Sequence, residues 1–196
     1  MARESQRRAL ADGPLRIGAV IALGAAVAFL VWLFVRDGDD NGSSSTGTST
    51  GPTGARNVVL LATVQSLKEL ARVVDHPIYW AGVRRGSKYE LTQSGDGRIY
   101  IRYLPRNVPI GDRRGGYLIV ATYPLPNAYK AVQTAAKAEG AHTIALEPRG
   151  LAVYNDNSPT NVYFAVPGSK YQVEVYDPDP ARARRLVTSG RITPIR

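Results

Sequence analysis

The N-terminal part of the chain contains an apolar run, Ile17 to Val35, of nineteen residues without a charge, an amide side chain or a proline. At about 1.5 Å rise per residue, a helix of this length would measure roughly 28 Å, which is close to the hydrocarbon thickness of a bilayer. A helix also bonds its backbone polar groups internally, as a lipid environment demands. The run therefore predicts a transmembrane helix, with the membrane as a partner of residues 17–35.

The charges on either side of this run predict its orientation. Arginines precede the run, whereas three aspartates closely follow Arg36 after it. By the positive-inside rule, the N-terminus is expected in the cytoplasm. The small residues Ala26 and Ala28 raise the alternative of a cleaved signal peptide, but bulky residues follow them within the run, which favours an uncleaved signal anchor. The predicted localisation is the cell membrane, single-pass, with an extracytoplasmic C-terminal domain.

Small residues inside the run offer a contact for a second helix. Gly24 and Ala28 have the small-xxx-small spacing that permits close helix approach. Small residues are also common in membrane spans that do not associate. Oligomerisation through this pair therefore stands beside the simpler interpretation of an ordinary span.

Composition divides the chain into four parts. Residues 1–16 are the predicted cytoplasmic tail and residues 17–35 the span. Residues 36–57 are dominated by Gly, Ser and Thr, and a segment so poor in apolar side chains cannot bury enough surface to fold. This segment is expected to be a flexible linker, and residues 58–196 are expected to form one domain.

Alternating apolar residues predict a mainly antiparallel sheet in this domain. The strongest signal is a hairpin of Lys88–Gln93 and Arg98–Leu104 around the turn Ser94–Gly97. Further strands are predicted at Ile78–Ala81, Tyr117–Tyr123, His142–Glu147, Leu151–Tyr154, Val162–Val166 and Lys170–Tyr176.

Three short helices are predicted beside the sheet. The first begins near Ser66, which has capping-box spacing to Glu69. The other two are Ala128–Glu139 and Pro180–Ser189, with Asn127 and Asp179 as their N-caps. The expected fold class is α+β: a single transmembrane helix plus an extracytoplasmic domain with a mainly antiparallel sheet and about three short helices.

Two segments of the domain resemble each other. Ile78–Ala81 followed by Gly86–Tyr89 is echoed by Val162–Ala165 followed by Gly168–Tyr171. Each copy is interpreted as strand, turn, strand, so the domain could contain two related hairpins. Convergence on good hairpin composition explains the similarity equally well.

Charge and composition limit the classes of partner. From Arg56 onward the chain carries 20 Lys and Arg residues against 11 Asp and Glu residues. This excess attracts anions, which predicts an anionic envelope polymer or a protein as partner. Nucleic acid is disfavoured by the predicted compartment, and solvated arginine that merely aids solubility is the competing interpretation. The chain has no cysteine, and no cofactor, metal or catalytic motif is found in it.

One candidate ligand-binding surface follows from strand alternation. Arg98, Tyr100 and Arg102 would share one face of a strand, where guanidinium and phenol groups can stack on sugar rings and bind carboxylate or phosphate. The following loop, Pro105 to Gly116, adds further basic side chains, namely Arg106, Arg113 and Arg114. The alternative is an ordinary half-exposed sheet, because tyrosine suits strands with one wet side.

About 35 residues resemble part of a known family. Tyr117–Tyr123, then Asn127 and an alanine-rich helix ending at Gly140 before another strand, is similar to the strand–helix–strand opening of the SPOR peptidoglycan-binding domain. The predicted layout of tail, span, tether and C-terminal domain is also similar to that family. The second half departs from it, because Leu151–Tyr176 is interpreted as strands where the family has a second helix. No binding residues are transferred from this resemblance.

The sequence thus favours a non-catalytic binding or interaction module. One alternative is a cell-envelope glycan-processing enzyme that uses paired carboxylates such as Glu90 and Asp96. Another is a structural subunit of a membrane complex, recruited through the span.

Overall fold

The structure, a computed structural model, describes residues 58–74 and 76–195. These residues form a mainly antiparallel sheet with three helices. The strands are β1 (Val58–Ala62), β2 (Tyr79–Trp80), β3 (Ser87–Gln93), β4 (Ile99–Pro105), β5 (Ile119–Pro124), β6 (Ala141–Leu146), β7 (Gly150–Asn155), β8 (Ser158–Ala165), β9 (Tyr171–Tyr176) and β10 (Thr193–Pro194). The helices are α1 (Val64–Val73), α2 (Ala128–Ala135) and α3 (Pro180–Thr188).

Eight strands form the main sheet in the order β1-β3-β4-β5-β9-β8-β7-β6. Every neighbouring pair is antiparallel. The remaining strands, β2 and β10, form a separate two-stranded sheet. The outer strands of the main sheet are therefore β1 and β6.

The hydrophobic core lies on one face of the main sheet, which we call the core face. Ile99, Ile101 and Val175 are fully buried there together with Leu67 of α1. Leu186 of α3 belongs to the same cluster. Helices α1 and α3 therefore cover the core face.

The opposite face is called the polar face. On β3, β4 and β5 it carries the residues that alternate with the core, including Glu90, Tyr100 and Tyr123. Helix α2 contacts β7, β8 and β9, and its buried residues Ala128 and Val132 lie outside the core cluster. Helix α2 therefore covers the polar face over β7, β8 and β9. The polar face over β3 and β4 lies in the other half of the sheet.

The helix starts differ in part from the prediction. The N-cap of α1 is Thr63, which exchanges hydrogen bonds with Ser66, so the capping box lies three residues earlier than predicted. The predicted caps of the other helices are at the right positions. Asp179 accepts hydrogen bonds from the amides that follow it, whereas the Asn127 side chain makes no capping bond.

The fold-class prediction is wrong in including a transmembrane helix. The description of the chain as a membrane protein with a signal anchor is not supported either. The three helices of the described residues contain 10, 8 and 9 residues. At about 1.5 Å rise per residue such helices cover at most roughly half of a bilayer core. In residues 58–74 and 76–195, no helix is long and apolar enough to cross a membrane. The run Ile17–Val35, the linker and the Gly24 and Ala28 pair lie outside the described residues, and the localisation stays a prediction.

The hypothesis of two related hairpins is also wrong. The second copy is a hairpin, because β8 pairs with β9. In the first copy, however, β2 pairs with β10, while β3 pairs with β1 and β4. The sequence similarity therefore reflects turn composition and not a repeated unit.

Candidate binding surface

Residues Tyr100 and Arg102 lie on the polar face, as strand alternation predicts. The register of the β3–β4 hairpin pairs Thr92 with Tyr100 and Glu90 with Arg102. Their neighbours Ile99 and Ile101 point into the core. Position on the sheet alone, however, does not make a side chain accessible to a ligand.

Arg102 is occupied by the protein itself. Its guanidinium donates to the Glu90 carboxylate and, at 3.1 Å, to the Arg114 carbonyl. Only 17% of the Arg102 side chain and 2% of the Glu90 side chain are exposed. The Arg102 guanidinium also lies 5.5 Å from the centre of the Tyr117 ring. This arginine therefore has a structural role and little surface left for a ligand.

The buried Glu90 carboxylate fixes the loop that follows β4. Its second oxygen accepts a hydrogen bond of 2.5 Å from the Gly111 amide. Gly111 has φ +79°, a conformation that favours glycine because it lacks a Cβ. Together with the bond from Arg102 to the Arg114 carbonyl, this contact holds residues 106–116 against the polar face. Val108 of the same loop is 6% exposed, so its apolar side chain is buried.

A second carboxylate stiffens the loop internally. Asp112 accepts hydrogen bonds from the Arg114 amide at 2.8 Å and from the Arg114 guanidinium at 2.5 to 3.0 Å. These bonds to Arg114 hold the pKa of the Asp112 carboxyl at about 2, below its usual range. Arg106 and Arg113 are exposed, and within the described part of the chain neither forms an ion pair or a hydrogen bond.

The turn that precedes β3 carries two more arginines, at the end of the β3–β4 hairpin where the loop begins. Ser87 pairs with Pro105, so Arg84 and Arg85 lie at the same end of the hairpin as Arg106. We call the basic residues at this end the arginine end: Arg84, Arg85, Lys88, Arg106, Arg113 and Arg114.

Two buried tyrosines hold that turn in place. The Tyr89 hydroxyl accepts a hydrogen bond of 3.1 Å from the Arg84 amide. The Tyr103 hydroxyl accepts from the Ala81 amide at 2.7 Å and donates to the Gly82 carbonyl at 3.3 Å. Burial raises the pKa of Tyr103 well above the ordinary value for a tyrosine, so its hydroxyl stays a donor. The turn is thus fixed to the sheet by side chains from two strands.

Sequence reasoning missed Arg84, Arg85 and Lys88. In the structure Ser87 pairs with Pro105, one residue further along β4 than counting outward from the predicted turn at Ser94–Gly97 would give. That register places the preceding arginines at the end of the hairpin where the loop begins.

Arg98 and Tyr100 lie toward the opposite end of β4. At about 3.3 Å per residue, roughly 25 Å separates Arg98 from Arg106 along the strand. Arg98 forms a 2.8 Å ion pair with Asp96, and its guanidinium lies 5.9 Å from the centre of the Tyr123 ring. Tyr100 contacts the Tyr123 ring edge-on, with centroids 5.7 Å apart. The single surface expected from the sequence is therefore divided. Arg98 and Tyr100 lie away from the loop, and of the predicted residues Arg106, Arg113 and Arg114 belong to the arginine end.

A second polar network lies next to Tyr123. The carboxylate of Glu174 on β9 accepts hydrogen bonds from Tyr123, from Asn161 and, at 3.0 Å, from Tyr163. Burial and the negative charge of Glu174 raise the pKa values of both tyrosines well above the ordinary value. Among the described residues no lysine or arginine forms an ion pair with Glu174. Its three donors come from the sheet itself, so this network stabilises the fold.

The carboxylates Glu90 and Asp96 do not form the pair that a glycan hydrolase would need. Glu90 is buried in the middle of β3 and bonded to Arg102, whereas Asp96 lies in the exposed turn of the hairpin. Along the strand the two are more than about 13 Å apart, beyond the roughly 5 to 9.5 Å typical of glycosidases. Nor do three or more His, Asp or Glu side chains in residues 58–74 and 76–195 lie close enough together to hold a metal ion.

Comparisons with protein-family models, with curated proteins and with solved structures found no match to this chain. The resemblance to the SPOR domain is limited to the order strand, helix, strand in β5, α2 and β6. In the sheet, β5 and β6 are separated by β9, β8 and β7.

Proposed function

We propose that this chain is a non-catalytic binding module that holds an anionic polymer at the arginine end. The ligand chemistry is a chain of repeated carboxylate or phosphate groups, because guanidinium groups pair with both. The observation that carries the proposal is the buried Glu90 carboxylate, which accepts from Arg102 and from the Gly111 amide.

Fixed geometry distinguishes this end from scattered surface arginine. A flexible loop loses conformational entropy when it binds, and a loop that is already held loses less. The loop bearing Arg106, Arg113 and Arg114 is bonded to the sheet through Glu90, and the turn bearing Arg84 and Arg85 is bonded through Tyr89 and Tyr103. Both segments therefore present their cations, and binding a ligand would cost them little further conformational entropy.

The charges of the two segments favour an anion. Within residues 105–116 the sole carboxylate is Asp112, and it is paired with Arg114. Glu90 is paired with Arg102 and buried. Exposed cations therefore dominate this end, and their attraction reaches about 8 Å at physiological salt.

The proposal is tested by titrating the full chain with fluorescently labelled poly-L-glutamate and with labelled polyphosphate, using neutral dextran as a reference. We expect binding to a polyanion that weakens steeply between about 50 and 300 mM salt, and no binding to dextran. A preference between the two polyanions identifies the anionic group. Absence of binding to both at low salt would contradict the proposal.

A charge-matched pair of variants tests the location. Arg106→Ser with Arg113→Ser removes two exposed cations from the arginine end, and Arg149→Ser with Arg191→Ser removes two elsewhere. We expect the first pair to weaken polyanion binding by roughly tenfold, because each exposed ion pair is worth up to about 1 kcal/mol. The second pair should change it by less than about twofold. Equal losses would mean that net charge, and not the arginine end, governs binding.

A further inference from the structure

The outer strand β1 exposes an unusual row of apolar side chains. Four consecutive residues, Val58, Val59, Leu60 and Leu61, are 42 to 61% exposed. Among residues 58–74 and 76–195, β3 is the one strand that pairs with β1 in the main sheet. Within the part of the chain that the structure describes, the outer edge of β1 thus combines backbone groups that no strand pairs with and apolar side chains on both faces.

Features that usually protect an outer strand are missing from β1. Charged residues, proline or a bulge commonly prevent an edge from pairing with another strand. Strand β1 has the sequence Val-Val-Leu-Leu-Ala, and its register with β3 is regular over all five residues. The opposite outer strand is different, because β6 exposes His142, Thr143 and Ala145 and is followed by Glu147 and Pro148.

Charge beside β1 indicates which kind of segment fits this edge. Ala62 pairs with Tyr89, so the C-terminal end of β1 lies next to Lys88 and near the turn with Arg84 and Arg85. A second copy of this chain, with a net charge of +9, would bring like charges together. An extended segment with acidic side chains at that end would instead be attracted.

We propose that β1 is a docking edge for an extended apolar segment of a protein partner, which adds a strand to the sheet and places acidic residues beside Ala62. Main-chain hydrogen bonds to the free edge of β1 supply affinity, and the exposed valines and leucines select apolar side chains. The acidic end of such a segment would meet Arg84, Arg85 and Lys88, which also belong to the arginine end. The apolar contact on β1 does not involve Arg106 or Arg113, so variants at β1 and at Arg106 and Arg113 distinguish the two proposals.

The test begins with a displayed library of random peptides of about twelve residues, enough to span β1 at roughly 3.3 Å per residue, selected on the full chain. We expect enrichment of peptides with consecutive apolar residues, which can meet both faces of β1, and with acidic residues at one end. Enrichment without this pattern, or no enrichment, would overturn the proposal.

Backbone pairing is tested on the unaltered protein with N-methylated versions of a selected peptide. One edge of an added strand bonds to β1 and the other faces outward, so methylation of alternate amides should abolish binding in one register and be tolerated in the other. Equal tolerance in both registers would show that the peptide does not pair as a strand.

Matched variants locate the edge. Leu61→Lys and Val73→Lys add the same charge at positions that are 61% and 82% exposed, the first on β1 and the second on α1. We expect at least about a tenfold loss of peptide binding for the first and little change for the second, with polyphosphate binding retained by both. Equal peptide binding by Leu61→Lys would overturn the proposal. So would a concentration-dependent dimer of the unaltered chain that this variant abolishes, because the edge would then be covered by a second copy.

Discussion

The polar face of the sheet contains two carboxylates that are used in different ways. Glu90 accepts from Arg102 on the neighbouring strand and from Gly111 in a loop. Glu174 accepts from Tyr123, Tyr163 and Asn161, all from the sheet. The first carboxylate fixes a segment that carries exposed cations, whereas the second joins strands to one another.

This difference separates a binding role from a structural one. Both networks contribute to folding, but only the Glu90 network determines where exposed charges lie. Changes at Glu174 should therefore alter stability alone, and changes at the Glu90 network should alter both stability and ligand binding.

The largest expected effect is that of Arg102→Met. This change leaves the Glu90 carboxylate, 2% exposed, without its cation. Removing one partner of a buried ion pair typically costs about 3–5 kcal/mol of unfolding free energy. Arg98→Met is the matched control, because its ion pair with Asp96 is exposed and such pairs contribute at most about 1 kcal/mol. Equal losses of unfolding free energy for the two variants in urea denaturation would show that the Glu90–Arg102 pair stabilises the fold no more than an exposed pair does.

A smaller effect is expected for Glu174→Gln. A glutamine offers one acceptor oxygen where the carboxylate offers two, so one of the three donors loses its partner. Leaving a buried donor unsatisfied costs about 1–3 kcal/mol. The same variant should bind polyphosphate as the unaltered chain does, and a weaker affinity would break the proposed separation between the two networks.

Tyr163 gives a pH-dependent version of the same comparison. Burial and the charge of Glu174 raise its pKa above the ordinary value, so the folded protein keeps the phenol protonated. The unfolded chain releases this proton above about pH 10, and stability is therefore lost as the pH rises beyond that value. Tyr163→Phe should reduce the alkaline slope of the unfolding free energy by up to about 1.4 kcal/mol per pH unit. An unchanged slope would contradict this assignment.

The smallest effect concerns Asp112 in the loop. Hydrogen bonds from Arg114 hold its pKa at about 2, so the contact persists as the pH falls and is lost only near that value. A carboxyl titration followed by NMR should give this low value, and Arg114→Gln should raise it. An ordinary aspartate pKa, near about 3.9, would show that the loop is not held as described.

The sequence predicted the hairpin best, because alternation and the Ser94–Gly97 turn together determine the register of β3 and β4. It also placed Tyr100 and Arg102 on one face. It could not reveal that Arg102 is occupied, since the partner Glu90 and the loop carbonyl come together only in the folded sheet. The exposure of β1 was equally hidden, because a short apolar segment is compatible with either a central or an outer strand.

The measurement that tests the central claim most directly is the affinity of the Glu90→Gln variant of the full chain for polyphosphate. This change raises the net charge by one, so attraction by net charge alone predicts equal or tighter binding. If the Glu90 carboxylate holds the loop with Arg106 and Arg113 in place, binding should instead weaken by several-fold while the near-UV spectrum stays native. Unchanged or tighter binding would contradict the account.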